Sequence, residues 1–226
     1  MERLDRILAS QGVGSRSEVQ RLIRSGAVAV AGETVRDPGV DCATEVTPLR
    51  VRGESVDGRT VRHVMLHKPE GLLTAARDRK QPTVMDMLPM AYAAMGCMPV
   101  GRLDKDTEGL LLITDDGALN HSLLAPGRHV PKTYYARIHG IVTEDDITAF
   151  KNGLDIGEKK LTAPAALKIL DIAENEQTSE ILVTITEGKF HQVKRMFETL
   201  GCHVVYLKRL SMGTLTLDET LKPGEY

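Results

Sequence analysis

The chain has 226 residues, 42% of them apolar and 27% charged, with 29 Lys and Arg against 31 Asp and Glu for a formal net charge of -2. That length allows a small and a medium domain, and the mixed composition excludes a disordered or fibrous chain. No apolar run approaches the ~20 residues of a membrane span. The opening Met1-Glu2-Arg3-Leu4-Asp5-Arg6 lacks the layout of a secretory signal. Cys42, Cys97 and Cys202 have neither disulfide nor zinc spacing, so a cytoplasmic protein with reduced thiols and no membrane partner is expected.

Near-neutral charge looks wrong for a nucleic-acid protein, since neutralising phosphates supplies much of the affinity. The basic residues are nevertheless gathered locally. Residues 1–30 hold five arginines against three acids, and residues 185–210 hold five Lys or Arg against two acids. That distribution is compatible with a positive groove on a neutral body.

In chain order, an amphipathic turn around Arg3, Leu4, Ile7 and Leu8 comes first. Ser15 and Glu18 then form a capping box, Val19, Leu22 and Ile23 follow at helical spacing, and Gly26 supplies a stop. The other face of this helix carries Arg16, Gln20, Arg21 and Arg24. Alternation from Ala27 to Val35 turns at Ala31-Gly32 as a hairpin would. The Arg3-Leu4-Asp5 opening, Ser15-Arg16-Ser17 and Gly26-x-Val28-x-Val30-x-Gly32-x-x-Val35 resemble the S4 domain, a small RNA-binding module. Ala31 departs from the Asn or Asp usual before the turn glycine. The resemblance implies that Arg3, Arg16, Arg21 and Arg24 bind RNA.

Polar, glycine-broken text over residues 51–62 predicts a linker, with domains at 1–59 and 60–226. Beyond it, residues 64–67 read as a strand, residues 68–71 as a tight turn, and residues 82–88 as a short helix started by proline. Further strands are expected at residues 110–114, 134–138, 181–185 and 204–207. Val193, Met196, Phe197 and Leu200 mark the buried face of a helix, leaving Lys194 and Arg195 turned from it. Strands broken by irregular helices favour an α+β fold on a mixed, largely antiparallel sheet.

The passage richest in chemistry runs from Val100 to Gly117, an acidic loop punctuated by glycine that leads into a hydrophobic strand. Asp104-x-Asp106-x-Glu108-Gly109 has some of the spacing of a calcium loop. It lacks the Asp or Asn at the fifth position and the bidentate Glu at the twelfth, and a strand follows where a helix is needed. Asp115 and Asp116 beside Gly117 read as turn residues.

Gly101-Arg102-Leu103-Asp104-x-Asp106-Thr107-x-Gly109-Leu110, with Leu112-x-Thr114-Asp115-Asp116-Gly117, resembles the aspartate motif of the pseudouridine synthases. Lys132-Thr133-Tyr134 is similar to their second motif, and Glu187-Gly188-Lys189-Phe190-His191-Gln192-Val193-Lys194-Arg195-Met196-Phe197 to the third. Within the superfamily, Phe190 to Arg195 resembles the branch typified by ribosomal small-subunit pseudouridine synthase A, where large-subunit enzymes show Asn-Arg-Gln. The tail Leu221-Lys222-Pro223-Gly224-Glu225-Tyr226 also matches, and relatives often continue several residues further.

The resemblance implies an isomerase that turns one uridine of 16S ribosomal RNA into pseudouridine, working as a monomer on RNA or a partly assembled subunit. Asp104 is implied as the catalytic group, Tyr134 as the side chain against the target base, and Lys194 as the partner of Asp104. Arg102, Lys132, His191, Gln192 and Arg195 are the further RNA-binding candidates. The chemistry involves no redox step, and no cofactor or metal is implied. Asp104 either attacks C1′ or takes the C2′ proton, with the base flipped from its stack. At about 4 Å and an effective dielectric near 20, Lys194 would attract the Asp104 carboxylate by roughly 4 kcal/mol. A pseudouridine synthase acting on 23S ribosomal RNA, a catalytically silent RNA-binding or ribosome-assembly protein, and a calcium-binding regulator are the alternatives.

Overall fold

The computed structural model describes residues 1–43, 47–56, 58 and 61–226. Its contacts divide into two units: residues 1–63 with 88–98 and 114–116, and residues 64–87, 99–113 and 117–226. The expected boundary between residues 59 and 60 lies outside the described residues.

The first unit opens with β1 (Glu2–Arg3) and α1 (Leu4–Ser10), followed by α2 (Arg16–Arg24). Both halves of the capping box form at Ser15 and Glu18, satisfying backbone donors that the first helical turn leaves unpaired. Leu4, Ile7 and Leu8 of α1 and Val19 and Ile23 of α2 are completely buried. Each such side chain contributes about 1.5–3 kcal/mol relative to exposure, enough to hold two helices too short to persist alone. Strands β2 (Val28–Val30) and β3 (Glu33–Val35) form the expected hairpin, and β4 (Asp41–Cys42) pairs with β1.

The expected linker is corrected in part. Residues 49–51 and 54–56 form strands β5 (Leu49–Val51) and β6 (Glu54–Val56), completing a four-stranded sheet in the order β3-β2-β5-β6. Gly53, read as an interruption, is instead the hairpin turn, where Arg52 and Gly53 both take positive φ. Val51 and Val56 pack on the core of this unit. Of the segment read as linker, residues 57, 59 and 60 lie outside the described residues.

Further along run β7 (His63–Lys68), α3 (Met90–Ala94), β8 (Met98–Pro99), β9 (Glu108–Thr114), α4 (Gly117–Leu124), β10 (Lys132–His139), α5 (Glu144–Asn152), β11 (Ala166–Ala173), β12 (Thr178–Ile185), α6 (Gln192–Glu198), β13 (His203–Met212) and β14 (Leu215–Thr216). The sheet order is β11-β12-β10-β13-β9-β7, with β14 on β13 and β8 on β9. The β11–β12, β12–β10, β10–β13 and β13–β14 pairs are antiparallel, and β13–β9 is parallel. The fold is thus α+β, with the largely antiparallel sheet expected.

Residues 109–114 of β9 are all buried, which is why this strand reads as a continuous apolar run. In β12 burial alternates strictly, with Ser179, Ile181, Val183 and Ile185 inward. Phe150 of α5 meets Phe197 of α6 at 4.9 Å between ring centroids. The helix expected at residues 82–88 is only a 3-10 turn, Val84–Met87. Thr83 donates to Asp86 from its backbone, and Pro89 keeps Leu88 out of helical geometry. Helix α6 ends at Glu198, so Leu200 lies in the turn beyond it. Among the described residues, no helix is long and apolar enough to cross a membrane.

Candidate active site

Asp104 stands between two anchored neighbours, Leu103 at 6% exposure and Thr107 at 1%. The Leu103 amide donates to Thr74 Oγ1 at 3.2 Å, and that hydroxyl donates to the Leu103 carbonyl at 2.8 Å. Gly71 N–H donates to the Lys105 carbonyl at 2.7 Å, and Thr107 N–H to the Asp104 carbonyl at 3.1 Å. Beneath the loop, fully buried Lys68 donates to the carbonyls of Pro69, Lys105 and Thr107 at 2.9, 3.2 and 2.9 Å. Burial pushes the Lys68 ammonium down to about 8, against the nearby carboxylates of Asp106, Asp104, Glu108 and Glu70. Backbone hydrogen bonding on both sides therefore fixes the position from which the Asp104 side chain projects.

The carboxylate opens on a cavity of about 90 Å³, several times the ~10–15 Å³ that admits one water. Leu103, Ile185, Val193 and Leu207 supply apolar wall, and Tyr134 lines it at 7% exposure. Lys194 Nζ lies 3.4 Å from Asp104 Oδ2, and His191 Nε2 lies 3.7 Å from Asp104 Oδ1. The nearer partner of Lys194 is Asp106 Oδ1, at 2.5 Å. Burial raises the Asp106 carboxyl, but the Lys194 hydrogen bond and charge outweigh it and leave the group below its ordinary range. One ammonium thus serves two carboxylates where a calcium loop would place its ion. Glu108 is otherwise engaged, accepting from the Tyr206 hydroxyl at 2.6 Å.

The RNA pseudouridylate synthase family pattern matches residues 62–199, more than half of the chain, and the S4 domain matches residues 2–45. The chain belongs to the RNA pseudouridylate synthase family. It is thereby an isomerase. A Bacillus subtilis protein named uncharacterized RNA pseudouridine synthase YtzG is 44% identical over 224 residues, covering 99% of this chain and 93% of its own. Escherichia coli ribosomal small subunit pseudouridine synthase A is 39% identical over 233 residues, covering 99% and 94%. Bacillus subtilis ribosomal large subunit pseudouridine synthase B is 38% identical over 218 residues, covering 96% and 88%. A crystal structure of a pseudouridylate synthase superposes with a TM-score of 0.67 at 36% identity, covering 100% of this chain and 94% of that one.

In this synthase fold, Asp104, Tyr134 and Lys194 come together at one cavity, joined by Arg102, His191 and Gln192. Tyr135, on the opposite face of β10, packs edge-on against Tyr206. Gln192 is 3% exposed and spends its amide inside the protein, donating to Glu187 Oε1 at 2.8 Å and accepting from Lys189 N–H at 2.9 Å. Arg195 does not line the cavity: it donates to Glu158 Oε1 at 2.9 Å, the Phe190 carbonyl at 3.1 Å and the Ile156 carbonyl. Lys132 also lies off the lining, its Nζ donating to the Val130 carbonyl at 2.9 Å, and burial with Arg209 nearby lowers its pKa.

In the first unit, Arg3 pairs with buried Asp5 at 3.1 Å, and Arg16 pairs with the same carboxylate at 3.3 Å. The Arg3 hydrogen bonds lead in holding the Asp5 carboxyl well below the usual carboxylate range, against the cost of its burial. Arg21 and Arg24 are exposed. Three participants escaped the sequence reading. Asp106 was visible as the second acid of Asp104-x-Asp106. Lys68 and Thr74 act through carbonyls and amides brought near only by folding.

Proposed function

We propose that this synthase isomerises one uridine of 16S ribosomal RNA, acting as a monomer in the cytoplasm on free RNA or a partly assembled small subunit. The observation that carries the reading is the Asp104 carboxylate on the cavity wall, with Lys194 at 3.4 Å and Tyr134 lining the same space. In the reaction the N1–C1′ bond breaks, the uracil turns, and a C5–C1′ bond forms while C5 loses a proton and N1 gains one. Electrons balance within the nucleotide, so no redox partner enters. Asp104 acts at the sugar, either on C1′ or on the C2′ proton. Tyr134 presents an aromatic face to the extruded base, a contact of roughly 1–3 kcal/mol. The apolar wall excludes water from the broken bond.

Arg102 and His191 meet the RNA at the rim, while Arg3, Arg16, Arg21 and Arg24 meet phosphates. Lys132, Gln192 and Arg195 support that surface through the backbone they hold. The 16S assignment rests on the Phe190-His191-Gln192-Val193-Lys194-Arg195 segment. Relatives named for the small and the large subunit are almost equally similar to this chain, so RNA mapping decides. Pseudouridines mapped in 16S and 23S RNA, from cells with and without the gene, should differ at one 16S position; a difference confined to 23S overturns the target. Asp104→Asn should abolish conversion while RNA affinity stays within about threefold, and retained turnover overturns the catalytic role.

A further inference from the structure

Phe190 is one of three phenylalanines in the chain. Phe150 and Phe197 are buried against each other, whereas Phe190 is 71% exposed. Its ring stacks on His191 with centroids 3.8 Å apart and planes 17° from parallel. His191 covers one face and leaves the other to solvent, and its own Nε2 lies 3.7 Å from the Asp104 carboxylate. His191 lines the cavity and Phe190 does not, so the exposed ring adjoins the cavity through the imidazole it stacks on.

The backbone beneath the pair is held rigidly. Arg195 donates to the Phe190 carbonyl at 3.1 Å, Gln192 N–H donates to the Lys189 carbonyl at 3.2 Å, and Gln192 Oε1 accepts from Lys189 N–H at 2.9 Å. His191 is held at φ 48, a conformation costly for a residue bearing a Cβ. An apolar ring left in water on such a fixed turn has been positioned for a contact that the isolated chain does not make.

We propose that Phe190, backed by His191, is a stacking platform for an unpaired nucleobase adjacent to the target uridine. The inference rests on the RNA reading above and deepens it. Extruding a uridine strips its neighbours of a stacking partner, and an aromatic face at the cavity mouth replaces that partner. The surroundings suit a polyanion. Arg102 and Lys189 line the cavity beside the carboxylate-paired Lys194, and Lys159 and Lys160 are exposed on a loop whose carbonyls at 160 and 161 are held by Lys189 Nζ at 3.2 and 3.1 Å.

The test uses the RNA segment around the mapped uridine, with 2-aminopurine placed beside it. Stacking on the platform quenches the probe, and affinity is measured in the same titration. Phe190→Ala and Phe190→Leu should weaken binding roughly 5- to 150-fold and lose the quenching change; Phe190→Trp should restore both. An unchanged thermal midpoint for Phe190→Ala confirms that the fold survives. If Leu binds and quenches like Phe, the contact is merely apolar and stacking is overturned. If Ala weakens binding only to particles carrying ribosomal proteins and leaves naked RNA untouched, the surface faces protein and the proposal falls. Uridine conversion by the unaltered enzyme in the same RNA separates the two claims: no conversion defeats the activity reading, while conversion with normal Phe190→Ala binding defeats the platform alone.

Discussion

Ala31 shows how a single backbone angle carries information that a side-chain pattern does not. The hairpin between β2 and β3 turns through Ala31 at φ 52 and Gly32 at φ 89. Glycine reaches that region freely, and Asn or Asp tolerates it by local hydrogen bonding, but a bare Cβ costs roughly 1–2 kcal/mol there. Ala31 is exposed, so a larger polar side chain meets no core. Ala31→Asn should therefore stabilise the protein by about 0.5–1 kcal/mol, seen as a higher midpoint in denaturant with an unchanged slope. No shift would mean that the turn carries no recoverable strain. Lys194 makes a related point: the sequence paired it with Asp104, and the structure divides it between Asp104 and the more exposed Asp106.

At the scale of elements, the parallel contact between β9 and β13 sets where the Asp104 loop ends. Gly109 lies opposite Arg209 at φ 105, and a Cβ there would stand 2.6 Å from the Arg209 nitrogen and closer still to its carbonyl oxygen. Two strands meet too tightly for any side chain. Gly109→Ala should cost more than about 3 kcal/mol, measured as a collapsed denaturation midpoint or loss of soluble protein; a near-normal midpoint would show that the strands can part. The elements legible in the sequence were those whose pattern is local. Helix α2 had its capping box and apolar spacing, and β9, β10 and β12 had buried runs or alternation. Strand β11 escaped because it lies at the end of the sheet order, exposes Leu170 and Ile172, and shifts register between Ile169 and Asp171. Helix α5 carries a Thr143–Asp146 capping box, a shorter version of the signal that revealed α2. The Asp104 loop was legible by motif, but its supports at Lys68 and Thr74 were not, because their partners within that loop lie 29 to 39 residues away along the chain.

For the whole molecule, a net charge of -2 conceals how much of its basic charge is already engaged. Arg3 and Arg16 neutralise Asp5, Lys194 serves two carboxylates, and Arg209 is 2% exposed. Simple counting of Lys and Arg in sequence windows therefore overstates the positive surface offered to RNA. Arg21 and Arg24, both exposed on α2, differ from Arg3 and Arg16 because removing them strands no buried carboxylate. If they neutralise phosphates, replacing both by Gln should weaken binding and reduce the slope of log K against log salt by roughly 1.4–1.8, at about 0.7–0.9 per contact. Titrations of the same RNA between 50 and 200 mM salt (about the range over which such slopes are resolved) make the comparison. A parallel slope with weaker binding would assign these arginines a non-electrostatic contact, and an unchanged curve would remove this face of α2 from the RNA interface.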